Sequence, residues 1–158
     1  MPEPLLTASA MFANAARFSD AYHAALSPLC AETGLPPAAV DILLFLANNP
    51  GCGTAGEICR MRALKPAIVS FHIDRLVSEG FLLRQPVPED RRKTALVLTP
   101  KAAPAVEQGR ALQKAFAERL AEGLSAEDLA HFRRCVAIFD RNIERIRTNN
   151  KRTEIQKV

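Results

Sequence analysis

Residues 64–101, LKPAIVSFHIDRLVSEGFLLRQPVPEDRRKTALVLTPK, constrain the fold more than any other stretch of the chain. Lys65-Pro66 suits the start of a helix, because proline is tolerated in a first turn where its missing N–H would have no partner. Apolar residues then recur at helical spacing as far as Glu79, and Gly80 supplies a stop. Two short β-rich runs, 81–85 and 94–98, flank a loop at 86–93 that carries prolines and charges, which predicts a hairpin. Thr99 caps a further helix. A helix delivered beside a basic hairpin fits duplex DNA, with the helix in the major groove and the hairpin tip along the backbone or in the minor groove.

The segments before this one complete the pattern. Thr54 is an N-cap for a helix over 55–62, with Glu57 three residues on to close a capping box. Helix, short turn and helix, followed by a glycine stop and a strand, is the helix-turn-helix outline. Upstream, residues 38–49 predict a short helix that is almost wholly apolar from 40 to 47, and therefore central to the core. Residues 5–32 read as one long helix, with Phe12, Ala15, Ala16, Tyr22, Leu26 and Leu29 at helical spacing and Pro28 kinking it near its end. Downstream, a long helix runs through 120 with Pro104 in its first turn, Gly123 ends it, and a last helix covers 125–147. Residues 149–158 lack apolar periodicity and are expected to fray. The fold class is mainly α with a small β-hairpin wing.

Charge distribution points the same way. The net charge of +4 divides unevenly along the 158 residues. Residues 1–59 carry one Arg against five acids, residues 60–101 nine Lys or Arg against four acids, and residues 102–158 eleven against eight, or −4, +5 and +3. The positive excess is densest where the shape suggests DNA, as phosphate binding requires. The longest apolar run, 42–47, is far too short to span a bilayer. The first residues have no basic region before an apolar stretch, so a secretory signal is not expected and a cytoplasmic location is. The four cysteines (Cys30, Cys52, Cys59, Cys135) form no CxxC pair and the three histidines are scattered, so neither a metal site nor a cofactor is expected. No Ser/His/Asp, paired-carboxylate or phosphate-loop arrangement suggests an enzyme.

On a helical wheel of 64–79, Val69, His72, Ile73 and Leu76 share one face. Ala67, Ser70, Phe71, Asp74, Arg75 and Ser78 spread over the other, which a groove would meet. Ser70 can hydrogen-bond a phosphate or base edge, and Arg75 can pair with phosphate or a guanine edge. Phe71 can touch a thymine methyl or pack against protein. Asp74 would be repelled by phosphate unless it accepts from a cytosine amine or pairs with Arg75. Lys65 holds the backbone. In the hairpin loop, the consecutive cations Arg91, Arg92 and Lys93 suit a minor groove, and Asp90 can pair with an Arg and set the loop shape.

These residues resemble the MarR (multiple antibiotic resistance regulator) family of winged-helix transcriptional regulators. The matching positions are Val69-Ser70 and Asp74-Arg75-Leu76, Glu79-Gly80-Phe81-Leu82-Leu83-Arg84, Asp90-Arg91-Arg92, and Leu96-Val97-Leu98-Thr99-Pro100-Lys101. The resemblance implies a winged helix-turn-helix domain over 36–100 and a helical dimerisation region formed by 1–34 and 101–148. It implies a homodimer on a pseudo-palindromic operator with half-sites about one turn apart. It also implies that Arg92 is the wing-tip groove contact, Asp90 its loop-setting partner and Arg84 a support. Phe71 stands where a polar or basic residue is common, Ile68 where Thr is frequent, and Ala102-Ala103-Pro104 replaces a usual glycine.

Members of the family often bind small aromatic or anionic effectors between the dimerisation helices and the winged lobe. Phe12, Phe18, Tyr22, His23 and Phe45 are candidates for that crevice, although apolar residues at helical spacing require no ligand. Two other readings remain at this stage. One is a redox-sensing regulator, with Cys59 beside Arg60 or Cys135 after Arg133-Arg134 as the thiol. The other is a winged-helix module that binds protein instead of DNA, for which the apolar Phe71 face argues.

Overall fold

The computed structural model of the chain describes residues 7–87 and 90–155. Contacts divide it into two compact units that meet between Phe116 and Ala117. In the first unit, α1 (Ala8–Ala25) starts at Thr7, whose hydroxyl accepts the Ala10 N–H at 3.1 Å. The single long helix expected over 5–32 is two helices. Leu26 breaks the run, and Pro28 sits in the first turn of α2 (Ser27–Thr33) rather than kinking an existing helix. A proline's missing donor costs nothing in a first turn, so the chain restarts there. Gly34, at φ 69°, then turns the chain into α3 (Pro37–Asn48).

Every residue of α3 from Ala39 to Leu46 is buried, including Asp41. This helix is the centre of the core. Leu26, just before α2, and Leu29 within it belong to the same apolar cluster, as do Val69, Ile73 and Leu76 and the base of the hairpin at Phe81, Leu82 and Leu96. Helix α6 (Ala103–Leu120) joins through Ala105 and Val106. Gly109 brings α6 close to α3: a Cβ there would overlap both methyl groups of Leu44 and crowd Leu29.

Helix α4 (Ala55–Arg62) has the expected capping box, with Glu57 N–H donating to Thr54 Oγ1 (3.3 Å) and Thr54 N–H donating to Glu57 Oε2 (2.9 Å). Helix α5 (Pro66–Ser78) buries Val69, His72, Ile73 and Leu76. Antiparallel strands β1 (Leu82–Val87) and β2 (Asp90–Leu98) follow. Both are longer than the runs expected at 81–85 and 94–98, because cross-strand pairing continues through Pro86↔Thr94 to Val87↔Asp90. The register breaks between those two pairs, so the cations 91–93 lie in the irregular part of β2. Residues Pro88 and Glu89 lie outside the described residues.

Thr99 does not cap a helix with its side chain. Its hydroxyl donates to the Gly80 carbonyl at 2.6 Å, and a short 3₁₀ turn, Pro100–Ala102, leads into α6. In the second unit, α7 (Ala126–Ile155) opens with Asp128 accepting the Ser125 N–H at 2.9 Å. The tail expected to fray from 149 is helical as far as Ile155. Adding a residue to an existing helix requires no new nucleation, and Lys, Arg and Glu are good helix formers. Among the described residues, no single helix is long and apolar enough to cross a membrane.

Candidate nucleic-acid interface

Three local causes set the position of α5. Pro66 starts it, Gly80 (φ 80°) reverses the chain after it, and the four buried side chains fix its rotation against α3 and α4. The opposite face is exposed at Lys65, Ala67, Ser70, Asp74 and Ser78. Phe71 stands in the middle of that face, 63% exposed, with its ring edge on to His72. Ile68 beside it is 44% exposed.

The two charged groups further along this face, Asp74 and Arg75, both have protein partners. Arg75 is half-buried. Its Nη2 donates to the Gly34 carbonyl at 2.6 Å, and its Nε to Glu79 Oε1 at 2.7 Å. It therefore ties α5 to the turn between α2 and α3, forty-one positions away in sequence. Asp74 pairs with Arg84 of β1, which links the outward face of α5 to the hairpin. The expected Asp74–Arg75 pair does not form: Arg84 holds Asp74, and Arg75 is taken by Gly34 and Glu79.

In the hairpin, Asp90 Oδ1 accepts the backbone N–H of Arg92 at 3.1 Å, and Oδ2 lies 3.7 Å from Lys93 Nζ. Asp90 so shapes the strand around Arg92, whose side chain is exposed. The side chain of Arg91 lies outside the described residues. At the other end of the hairpin, Lys101 donates to the Glu79 carbonyl at 2.6 Å and stands over the Phe81 ring, fixing the hairpin base against the end of α5.

His72, on the inner face of α5, has an Nδ1 with no hydrogen-bond partner. Burial pushes its pKa below the ordinary 6.5, and the Arg75 charge adds to that. The imidazole is therefore held in its neutral form beneath the outward face.

A crevice of about 470 Å³ lies within the first unit, between α1, α3, α4 and α6. Of the five residues expected there, Phe18, Tyr22 and His23 line it. Phe12 is 79% exposed and Phe45 is in the core under the Arg62 guanidinium, and neither is among its walls. Sequence reasoning missed Asp41, Arg62, Gln113 and Phe116, which do line it. Asp41 carried a usable signal, since a carboxylate inside a run of buried apolar residues needs a partner. Here Arg62 Nε lies 3.3 Å from its Oδ2, and the Tyr22 hydroxyl donates to Oδ1 at 3.4 Å. Gln113 Nε2 in turn donates to the Tyr22 hydroxyl at 2.6 Å. Burial raises the Asp41 pKa above the usual carboxylate range, and Arg62 opposes that shift. Burial raises that of Tyr22 as well, against the Gln113 donor.

The four cysteines are free thiols. Cys59 lines a smaller hollow of about 310 Å³ between α4, α5 and the hairpin, together with Ser70 and Arg84. Cys135 is exposed on α7, and Cys30 has its pKa raised by burial. Among the described residues, no group of His, Cys, Asp and Glu is placed to hold a metal ion.

Comparison with known proteins bears on this geometry. Residues 33–93 match the family model of the MarR family, a span that runs from the end of α2 into β2. The crystal structure of transcriptional regulator PA3341 superposes with a TM-score of 0.76 at 26% identity, covering 85% of this chain and 98% of that one. A MarR transcriptional regulator from Methanosarcina mazei Go1 gives 0.74 at 16% identity, covering 91% and 96%. A MarR protein from Peptoclostridium difficile DA00132 gives 0.74 at 18%, covering 92% and 94%. These last two show likeness of fold. No curated protein matches the chain. Over the helix-turn-helix and wing the chain is thus similar to the MarR family, and the fold it shares with these transcriptional regulators extends over most of each chain.

Proposed function

We propose that the chain acts as a homodimer that binds a pseudo-palindromic operator in the cytoplasm and represses transcription until a small aromatic or anionic effector releases it. The observation that carries the reading is the pairing of α5 with a wing whose tip arginine is exposed. Asp90 holds the strand at Arg92, and the Asp74–Arg84 pair ties the wing to the helix it must accompany. Helix and wing then reach adjacent grooves as one piece.

A second copy is the partner suggested by α7. Phe132, Val136, Phe139, Ile143 and Ile146 are all exposed. Their separations alternate four and three, the spacing of a coiled-coil seam, and an apolar stripe of this kind marks a protein interface. The crevice supports the effector. Aromatic rings from Phe18, Tyr22 and Phe116 suit a flat ligand, while Arg62 and Gln113 keep N–H groups beyond those bonded to Asp41 and Tyr22 for an anion. Met61 and Arg62 end α4, so an occupant that favours one position of α4 shifts the winged lobe with it.

Selection of bound sites from random duplex DNA tests the reading. Recovery of an inverted repeat with half-sites about one helical turn apart is the expected result. Absence of enrichment would overturn it in favour of a protein-binding winged helix.

A further inference from the structure

We infer that α5 recognises thymine through its 5-methyl group, with Phe71 as the specificity-determining side chain and Ile68 and Ala67 beside it. The inference rests on the reading of α5 as the helix that enters the major groove.

A recognition helix meets base edges with its N-terminal part. At α5 that part offers one charged side chain, from the capping residue Lys65, and one hydroxyl, Ser70. The charged groups further along are already engaged: Arg75 by Gly34 and Glu79, Asp74 by Arg84. Neither guanine O6/N7 nor the cytosine amine meets a free charged partner on this helix from those two residues. What faces outward instead is a phenylalanine 63% exposed, three residues from an isoleucine 44% exposed, with Ala67 one turn before the ring. Core packing does not explain an apolar patch there, because the inner face is already filled by Val69, His72, Ile73 and Leu76.

The major-groove edge presents a single apolar group, the thymine methyl. Any other base under the Phe71 ring would have polar edge atoms stripped of water with no partner in return. Thymine under the ring loses little and buries its methyl. The positive charge that brings the duplex to this patch comes from the wing and the helix start, where Arg92 and Lys65 are exposed. Affinity and specificity are then divided: cations of the wing hold phosphate, and carbon of α5 reads methyl groups. The operator half-site is accordingly expected to place thymines opposite Phe71.

Replacement of single thymines by deoxyuridine in the selected operator removes only the methyl and so isolates this contact. At the contacted positions the full chain should bind about fourfold more weakly, as expected for one methyl no longer buried, with the same dependence on salt. Phe71→Ala should bind thymine and uracil operators alike, and Phe71→Leu should recover part of the preference. A specific operator whose affinity is unaffected by uracil at every position would overturn the inference while leaving the DNA-binding reading intact. Retention of full thymine preference in Phe71→Ala would also overturn it. Failure to bind any duplex specifically would remove the underlying reading and this inference together.

Discussion

Arg75 distinguishes a structural account of α5 from the simpler one in which every exposed cation touches DNA. Its guanidinium makes two bonds, to the Gly34 carbonyl at 2.6 Å and to Glu79 at 2.7 Å, and its side chain is 37% exposed. A hydrogen bond from a charged donor contributes roughly 1.5–3 kcal/mol when shielded from water. Partial exposure puts the Gly34 bond at or below the lower end. The i,i+4 pair with Glu79, about a third exposed on both sides, adds only about 0.3–0.5 kcal/mol. Arg75→Ala should therefore cost about 1.5 kcal/mol, or about 3–6 °C in Tm for a chain of this length. Arg75→Lys should recover only part, since one ammonium cannot span both partners as the fork does. The assay is thermal unfolding at fixed protein concentration, paired with DNA affinity measured across salt concentrations. Lost stability with an unchanged salt slope is the expected outcome. Unchanged stability with a slope smaller by about one would refute the reasoning and return Arg75 to the phosphate contacts.

Two further perturbations follow from the core. Gly109→Ala gains up to about 1 kcal/mol of helix propensity but forces a Cβ into the buried Leu44 methyl groups. Overpacking of about 1–3 kcal/mol should win, with Gly109→Val worse, and an unchanged or higher Tm for Gly109→Ala would contradict the α3–α6 contact. His72 titrates below its ordinary 6.5 in the folded chain. The unfolded chain thus takes up the proton first, so this group's contribution is complete above about 6.5 and is lost as pH falls through the lowered folded value. Urea unfolding of His72→Leu against the parent should show a smaller fall in stability over that window, and identical pH profiles would count against a buried neutral imidazole.

Much of the fold is legible in sequence because it is local. The capping box at Thr54 and Glu57, the proline start and glycine stop of α5, and the inward set Val69, His72, Ile73 and Leu76 all depend on residues within one or two turns. The misread elements depend on partners far along the chain. Strand β2 includes Asp90 and the cations after it because β1 pairs back through Pro86 and Val87, which no propensity announces. Pro28 reads equally as a kink or a start, and only the packing of Leu26 and Leu29 into the α3 cluster decides for a start. In the candidate site, the wheel separates the two faces of α5 correctly but cannot say which outward charges are already paired. Arg75 is bound by Gly34 and Asp74 by Arg84, both across turns. The crevice shows the same division: Phe18, Tyr22 and His23 follow from helical spacing on α1, whereas Arg62 and Gln113 arrive through the tertiary fold.

The central claim is that the wing holds DNA through Arg92. Asp90 bonds the backbone of Arg92 and not its side chain, so Arg92→Ala leaves the strand's shape intact and removes only the cation. The decisive measurement is the dependence of binding on salt for the parent and for Arg92→Ala, on the operator and on unrelated duplex. The account predicts weaker binding to both and a log–log salt slope smaller by about one. Unchanged affinity and an unchanged slope on both duplexes would contradict it.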